Sequence, residues 1–382
     1  MMAVRATTES PQQMGGVVCH GPAHIRLKAS LAVFAWAAIA AAGPYTEPGV
    51  NGYVDPNGRP ASPEQAGAVI NPIFRAWAGF VVDYQPAGGV SEQWLDANKT
   101  LGPATGDNMD IASLGDRSAA EIAAGAPPGH IVLGFAEPIR DGRGYDFVVF
   151  ENGIVSGYNT GAGSVSGQIF AELAFVEVSS DGVHFARFPS VSLTPGPVGA
   201  YGTIELSNVF NLAGKHPNGG GVCTGTPFDL ADLADEPLVR DAIVDVNDIR
   251  YVRIVDIPGS GHFQDAAILN VDPASGPLWE NYGANHSVYD AWPTFGSGGF
   301  DLDAVGVLHE QAYSADINLD GIVDSADFAL FSLAWGSRFG GPGWIARCDL
   351  DPLRDLRINA ADLAVLAAQW LGEETWRWAG GK

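Results

Sequence analysis

The chain has 382 residues, enough for two or three domains and a true core. It carries 20 Lys and Arg against 44 Asp and Glu, a formal charge of −24. That balance excludes neither export nor cation binding, but it argues against nucleic acid and anionic membrane surfaces, since both need a basic face.

In chain order, residues 24–30 (HIRLKAS) put a basic flank before the apolar run LAVFAWAAIAAAG (31–43), which ends in small residues. This predicts a secretory signal peptide region over 1–43, too short to span a bilayer stably; a buried Ala-rich helix is the alternative. No second apolar span follows, so no membrane span is expected after cleavage. Cys19, Cys223 and Cys348 are the only cysteines. Export removes the first, and spacing leaves open whether the other two pair.

Residues 44–66 are rich in Pro, Gly, Asn and Tyr and read as an extended lead-in. From 67 to 310, short β-type runs alternate with turn formers: FVVDY (80–84), HIVLGF (130–135), YDFVVF (145–150), LAFVEVSS (173–180), HFARF (184–188), IRYVRIVDI (249–257), AILNV (267–271) and LDAVGVL (302–308). Val, Ile, Phe and Tyr dominate them. Ser180-Asp181-Gly182 predicts a hairpin with a tight primed turn. Arg117–Ala124 is a helical patch. Such a run of strands predicts a mainly β fold, an antiparallel jelly-roll β-sandwich. The stretch NGGGVCTGT (218–226) lacks the Lys-Ser/Thr and following helix of a phosphate loop, and reads as a surface loop.

From 311 to 374 the pattern becomes helical, in FALFSLAW (328–335) and LAVLAAQWL (363–371), with a tail over 375–382. Asp327 precedes Trp335 by eight residues and Asp362 precedes Trp370 by eight, an offset of 35 that marks two copies of one unit. DINLDGIVDSAD (316–327) places Asp316, Asn318 and Asp320 first, third and fifth. Gly321 stands sixth for the sharp turn, Ile322 seventh with its carbonyl, Asp324 ninth and Asp327 twelfth. A hard cation wants about six to eight oxygens, and this spacing wraps them around one point. The alternative is a solvated acidic turn capping a helix through Asp324 or Ser325; the full pattern, followed at once by a helix, favours Ca2+.

The second copy ends on Asp362, with Asn359 ninth, Arg357 seventh through its carbonyl, and Asp355 fifth. Strict counting makes Asp351 first and Leu353 third, which cannot ligate. A two-residue insertion instead makes Asp349 first and Asp351 third, and is preferred because it restores the carboxylates. Leu356 stands where glycine is wanted, so strain is expected there.

Two loop-plus-helix units without an entering helix resemble a type I dockerin domain. That resemblance implies paired calcium loops, an all-α module and docking on a cohesin-like or cell-surface protein. It places partner choice at the tenth and eleventh positions, here Ser325, Ala326, Ala360 and Ala361; only one hydroxyl remains of the Ser-Thr pairs usual in that family. Phe331, Trp335, Leu366 and Trp370 are expected to pack together. The order VEVSSDGVHF, YVRIVDI, GGFDLDAVGV resembles galactose-binding-like jelly rolls of uncharacterised bacterial cell-surface proteins, which supports the fold more than any activity.

Candidate chemistry in the larger domain is thinner. Glu151, Glu172, Glu177, Asp265, Asp290, Asp301 and Asp303 supply carboxylates, but a glycosidase needs two of them roughly 5–10 Å apart, which spacing does not show. His184, His216, His262 and His286 are scattered singly and read as turn or surface residues. Glu151 with Asp301 and Asp303 read either as a calcium site pinning loops or as edge charges and caps. Trp279 and Trp292, with Trp94, Tyr282 and Tyr289, form either a sugar-stacking platform or loop anchors. The sequence thus predicts an exported recognition and attachment protein that binds polysaccharide, secreted or at a bacterial cell surface. The competing expectation is a polysaccharide-degrading hydrolase tethered by its dockerin.

Overall fold

Valine, isoleucine and phenylalanine runs become the strands of two antiparallel sheets. The computed structural model describes residues 43–160, 163–265, 285–294, 298–310, 313–318, 320–351 and 355–373; the leader, the run 267–271, Trp279 and Tyr282 lie outside them. In chain order the strands of these sheets are β1 (Val50–Asn51), β2 (Ala76–Trp77), β3 (Phe80–Gln85), β4 (Ala112–Ser113), β5 (His130–Ile139), β6 (Phe147–Glu151), β7 (Ala174–Ser179), β8 (Ala186–Arg187), β9 (Thr224–Phe228), β10 (Ile249–Asp256) and β11 (Asp301–Val307). One sheet runs β1-β9-β6-β11-β2, with β4 also on β11; the other runs β8-β7-β10-β5-β3.

Both sheets feed one core. Phe147, Val149, Val305 and Val307 of the first meet Ile131, Leu133, Val176, Val178, Val252 and Ile254 of the second. At its centre Phe147 stacks on Phe228 at 5.3 Å, and Phe188 meets Phe228 edge-on at 5.0 Å. Along β10 the buried positions include Ile249, Val252, Ile254 and Asp256, so one face turns inward.

Several expectations are corrected by packing. The lead-in is not merely extended: β1 pairs Val50 with Gly225, Tyr45 is fully buried, and Lys215 Nζ meets Glu47 Oε2 at 2.6 Å. The 218–226 stretch is a surface loop only around Gly220–Val222. Asn218 and Cys223 are buried and the rest enters β9, where a Cβ on Gly225 would sit 2.5 Å from Val148 Cγ1. The β7–β8 hairpin forms, but pairing stops at Val178 with Ala186, so residues 179–185 make a wide loop. Asp181 holds it, accepting from Val183 N and His184 N at 2.8 Å each and meeting His184 Nδ1 at 2.7 Å. Cys223 and Cys348 are both free, buried thiols.

Helices are short except at the C-terminal end: α1 (Ala119–Ala123), α2 (Pro237–Arg240), α3 (Ser325–Ala334) and α4 (Ala360–Ala368). Ser118 and Glu121 cap α1 reciprocally. Helices α3 and α4 bury Phe331 and Leu366 against Ala315, Ile317, Val323, Cys348, Leu350 and Ile358. Trp335 packs its ring against Phe331 at 5.7 Å but is left 51% exposed, and Trp370 is 43% exposed, so neither is buried with them. Trp335 is the C-cap of α3, with ψ 129, so it leaves the helical stripe that buries Phe331 one turn earlier. Two ion pairs join this end to the β sheets, Arg140 Nη1 to Asp316 Oδ2 at 3.6 Å and Arg347 Nη2 to Asp245 Oδ1 at 3.5 Å. Among the described residues no helix is long and apolar enough to cross a membrane.

Candidate metal centre

The two C-terminal loops are built on the same hydrogen bonds. Asp327 is fully buried; its Oδ1 accepts from Ile317 N at 2.7 Å and Asn318 N at 3.0 Å, and its Oδ2 accepts from Asp324 N at 2.8 Å. Asp324 caps α3 by accepting from Ala326 N. Asp316 Oδ1 accepts from Asp320 N, and its Oδ2 from Gly321 N at 2.9 Å. Gly321 has φ +86, the left-handed turn that lets the chain fold back over Asp316. Asp320 Oδ1 accepts from Ile322 N.

In the second loop Asp362 Oδ1 accepts from Leu350 N and Asp351 N, and its Oδ2 from Asn359 N. Asp349 Oδ2 accepts from Leu356 N at 3.1 Å, and Asp355 Oδ1 from Arg357 N. Asn359 caps α4. These bonds align Asp349 with Asp316, Asp351 with Asn318 and Asp355 with Asp320, the register of the two-residue insertion. The loops are tied crosswise: Val323 pairs with Leu371 and Gly372 beyond α4, and Ile358 with Gly336 and Ser337 beyond α3. Each partner set is offset by 35 residues from the other, so the repeat is structural as well as sequential.

Carboxylate oxygens of Asp349, Asp351 and Asp355 lie within 4.8 Å of one another, close enough to share one metal ion. Asp349 Oδ1 is buried without a hydrogen-bond partner. A buried carboxylate oxygen facing two other carboxylates and no donor fits a cation. Burial first, then the charges of Asp362, Asp351 and Asp355, push the Asp349 pKa up; a positive ion at this point reverses that penalty. Burial likewise raises Asp316, opposed by the Gly321 N–H and reinforced by Asp327. Ser325, Ala326, Ala360 and Ala361 are all exposed on the first turns of α3 and α4.

Leu356 takes the glycine position at φ +61 and is 51% exposed. A side chain there costs about 1 kcal/mol and gains little burial. Leu356→Gly is therefore expected to stabilise the second repeat by about 1 kcal/mol and to tighten its cation binding, read as a higher melting temperature with a larger calcium-dependent increment.

A second acidic group, Asp141, Asp146 and Asp229, is also close enough to share an ion, and no sequence spacing pointed to it. Its buried member, Asp146, is already occupied by Gly142 N, Leu230 N and His309 Nδ1 at 2.7 Å each.

The other carboxylates separate by partner. Glu177 is held between Arg187 and Arg253. Asp265 meets His286 Nδ1 at 2.7 Å, and Asp290 accepts from Leu173 N. The expected set of Glu151, Asp301 and Asp303 is divided by a bulge in β11, where register shifts between Leu302 and Ala304. Asp303 turns to Thr105, Gly106 and Asn218. Glu151 and Asp301 instead neighbour Glu172, whose Oε1 accepts from Thr294 Oγ1 at 2.8 Å and Gly299 N at 3.0 Å. Trp292 is half-buried and anchors a loop through its indole N–H, which donates to Arg117 O at 3.0 Å.

Burial raises Asp301 to about 7 and Asp116 to about 6. Such a group keeps its proton longer in the folded state, so its contribution is present below about pH 4 and is lost as pH rises through 6 to 7. With divalent ions chelated, the melting temperature is expected to rise as pH is lowered from about 8 to about 5, measured by calorimetric scans.

No family model matches the chain, and no curated protein matches it.

Proposed function

We propose that this is an exported recognition and attachment protein. Its β-rich body is a jelly roll that recognises polysaccharide, and its C-terminal repeats are a calcium-dependent dockerin-like module that docks on a cohesin-like or cell-surface partner. The observation that carries the reading is the duplicated loop. Two acidic loops 35 residues apart share one hydrogen-bond plan, and one presents a buried carboxylate oxygen with no protein partner.

Calcium supplies positive charge at the point where each loop's acidic side chains converge. Asp316, Asn318, Asp320 and the Ile322 carbonyl would hold it in the first loop, and Asp349, Asp351, Asp355 and the Arg357 carbonyl in the second. The chain's own part is to fix these oxygens: Asp327 and Asp362 clamp the loop starts, and Asp324 and Asn359 start the helices. Ordered helices then present Ser325, Ala326, Ala360 and Ala361 beside the exposed Phe328, Leu333, Trp335 and Trp370. Large exposed apolar side chains at this end of the chain suit a docking face.

The reading is tested with the full chain, loaded with calcium or chelated, against immobilised cohesin-type domains and a polysaccharide panel. Calcium-dependent capture by a protein partner and glycan retention without reducing-sugar release are expected; absence of both overturns it. The competing hydrolase reading draws on Glu172 and Asp301 lining one cleft. Release of reducing sugar that Glu172→Gln abolishes would establish it.

A further inference from the structure

Three side chains at one end of the sheets present an unsolved charge problem. Glu151 ends β6, Asp301 begins the neighbouring strand β11, and the two charges lie close enough to act on each other. Glu172 arrives just before β7. The three are 1%, 2% and 4% exposed, respectively for Glu151, Asp301 and Glu172.

The donors to these carboxylates are all neutral. Glu151 Oε2 accepts from Gly153 N at 2.9 Å, Glu172 Oε1 from Thr294 Oγ1 and Gly299 N, and Asp301 Oδ2 from Asn152 Nδ2 at 3.2 Å. Asp301 Oδ1 is buried without a hydrogen-bond partner, the neighbouring Ser113 hydroxyl donating instead to Gly298 O at 3.1 Å. Carboxylates buried this deeply without a counter-charge must take up protons or share a cation.

A cation has a way in. A cleft of about 220 Å³ is lined by Asn108, Asn152, Glu172, Tyr201, Thr294 and Asp301 among others. Glu151 does not line it and stands one layer back.

We propose that this cleft is a third cation site, in which Glu172 and Asp301 bind a hard divalent ion of the calcium class and Glu151 acts through water behind them. The donor set is carboxylate, amide and hydroxyl oxygen, without thiol or imidazole, which selects calcium-like ions over zinc or copper. Calcium tolerates the mixed and partly aqueous shell that two carboxylates in an open cleft provide; magnesium demands a tighter octahedron. The ion would join the end of β6 and the start of β11 to Thr294 and Gly299, which already donate to Glu172. The site is independent of the C-terminal loops and stands whether or not they bind calcium.

The test is calcium titration by calorimetry on the metal-free full chain carrying Asp316→Asn and Asp349→Asn, with and without Glu172→Gln and Asp301→Asn. One ion is expected to remain in the loop-disabled chain and to raise its melting temperature. The added pair should abolish both effects while leaving the strand circular dichroism unchanged. If the loop substitutions prevent folding, the Glu172→Gln, Asp301→Asn pair in the otherwise unaltered chain should lower the calcium count by one. Absence of the residual ion, or its survival in the Glu172→Gln, Asp301→Asn chain, overturns the proposal. The first outcome would leave a proton, not a metal, as the resident of the cleft; the second would place the ion elsewhere.

Discussion

Asp327→Ala is expected to unfold the first loop–helix repeat. Asp327 is fully buried and accepts from Ile317 N, Asn318 N and Asp324 N, so alanine strands three backbone donors inside the turn. Each buried unpaired amide costs about 1–3 kcal/mol, and the reciprocal cap of α3 is lost as well. A destabilisation of about 4 kcal/mol is expected, at the severe end for one substitution. Because Val323 pairs with Leu371 and Gly372, the second repeat should lose protection too. Amide hydrogen exchange reads this directly: rapid exchange over 316–334 and faster exchange near 371–372, with β5, β7 and β10 unchanged. Asp327→Glu keeps the charge but overfills a buried position, and an intermediate loss is expected.

Asp303→Ala should be the most damaging surface-distant change in the β-rich body. The carboxylate is buried and holds four donors: Thr105 N, Thr105 Oγ1, Gly106 N and Asn218 Nδ2. These lie on segments about 85 and 198 positions away in sequence, so one side chain staples three parts of the chain. Loss of about 3 kcal/mol is expected from the stranded donors, measured as a lower guanidinium midpoint at constant slope. The calcium count should not change, because Asp303 is satisfied by protein donors. That outcome separates Asp303 from Asp301, two residues earlier on the same strand and left with an unpartnered oxygen.

The strands from Phe80 to Val307 were legible because β-branched and aromatic runs are local signals. The first loop was legible for the same reason, since all its side chains fall within twelve residues. The second was ambiguous by counting and is resolved by what each carboxylate accepts: Asp349 takes the Leu356 N–H as Asp316 takes that of Gly321. The acidic groups of the β-rich body were not legible. Glu172 reaches Thr294 and Gly299 across more than a hundred positions, and Asp146 meets Leu230 N across 84; no spacing rule spans such distances. The bulge that turns Asp303 away from Asp301 is a backbone event that alternation alone does not reveal. Tyr45 and Val50 show the same limit: Pro- and Gly-rich composition marks turns but not an edge strand that packs. Trp335 meets Phe331 as the spacing suggested, but it stays half exposed because the helix has already ended there.

The central claim is that the duplicated C-terminal loops bind calcium and order the module. The most direct test is calorimetric titration of calcium into the metal-free full chain and into its Asp316→Asn, Asp349→Asn variant, with helix content followed by circular dichroism. The expected result is a difference of two ions between the chains, and a calcium-dependent gain in helix that the variant lacks. Equal ion counts, with no change in helix on adding calcium to either chain, would contradict it.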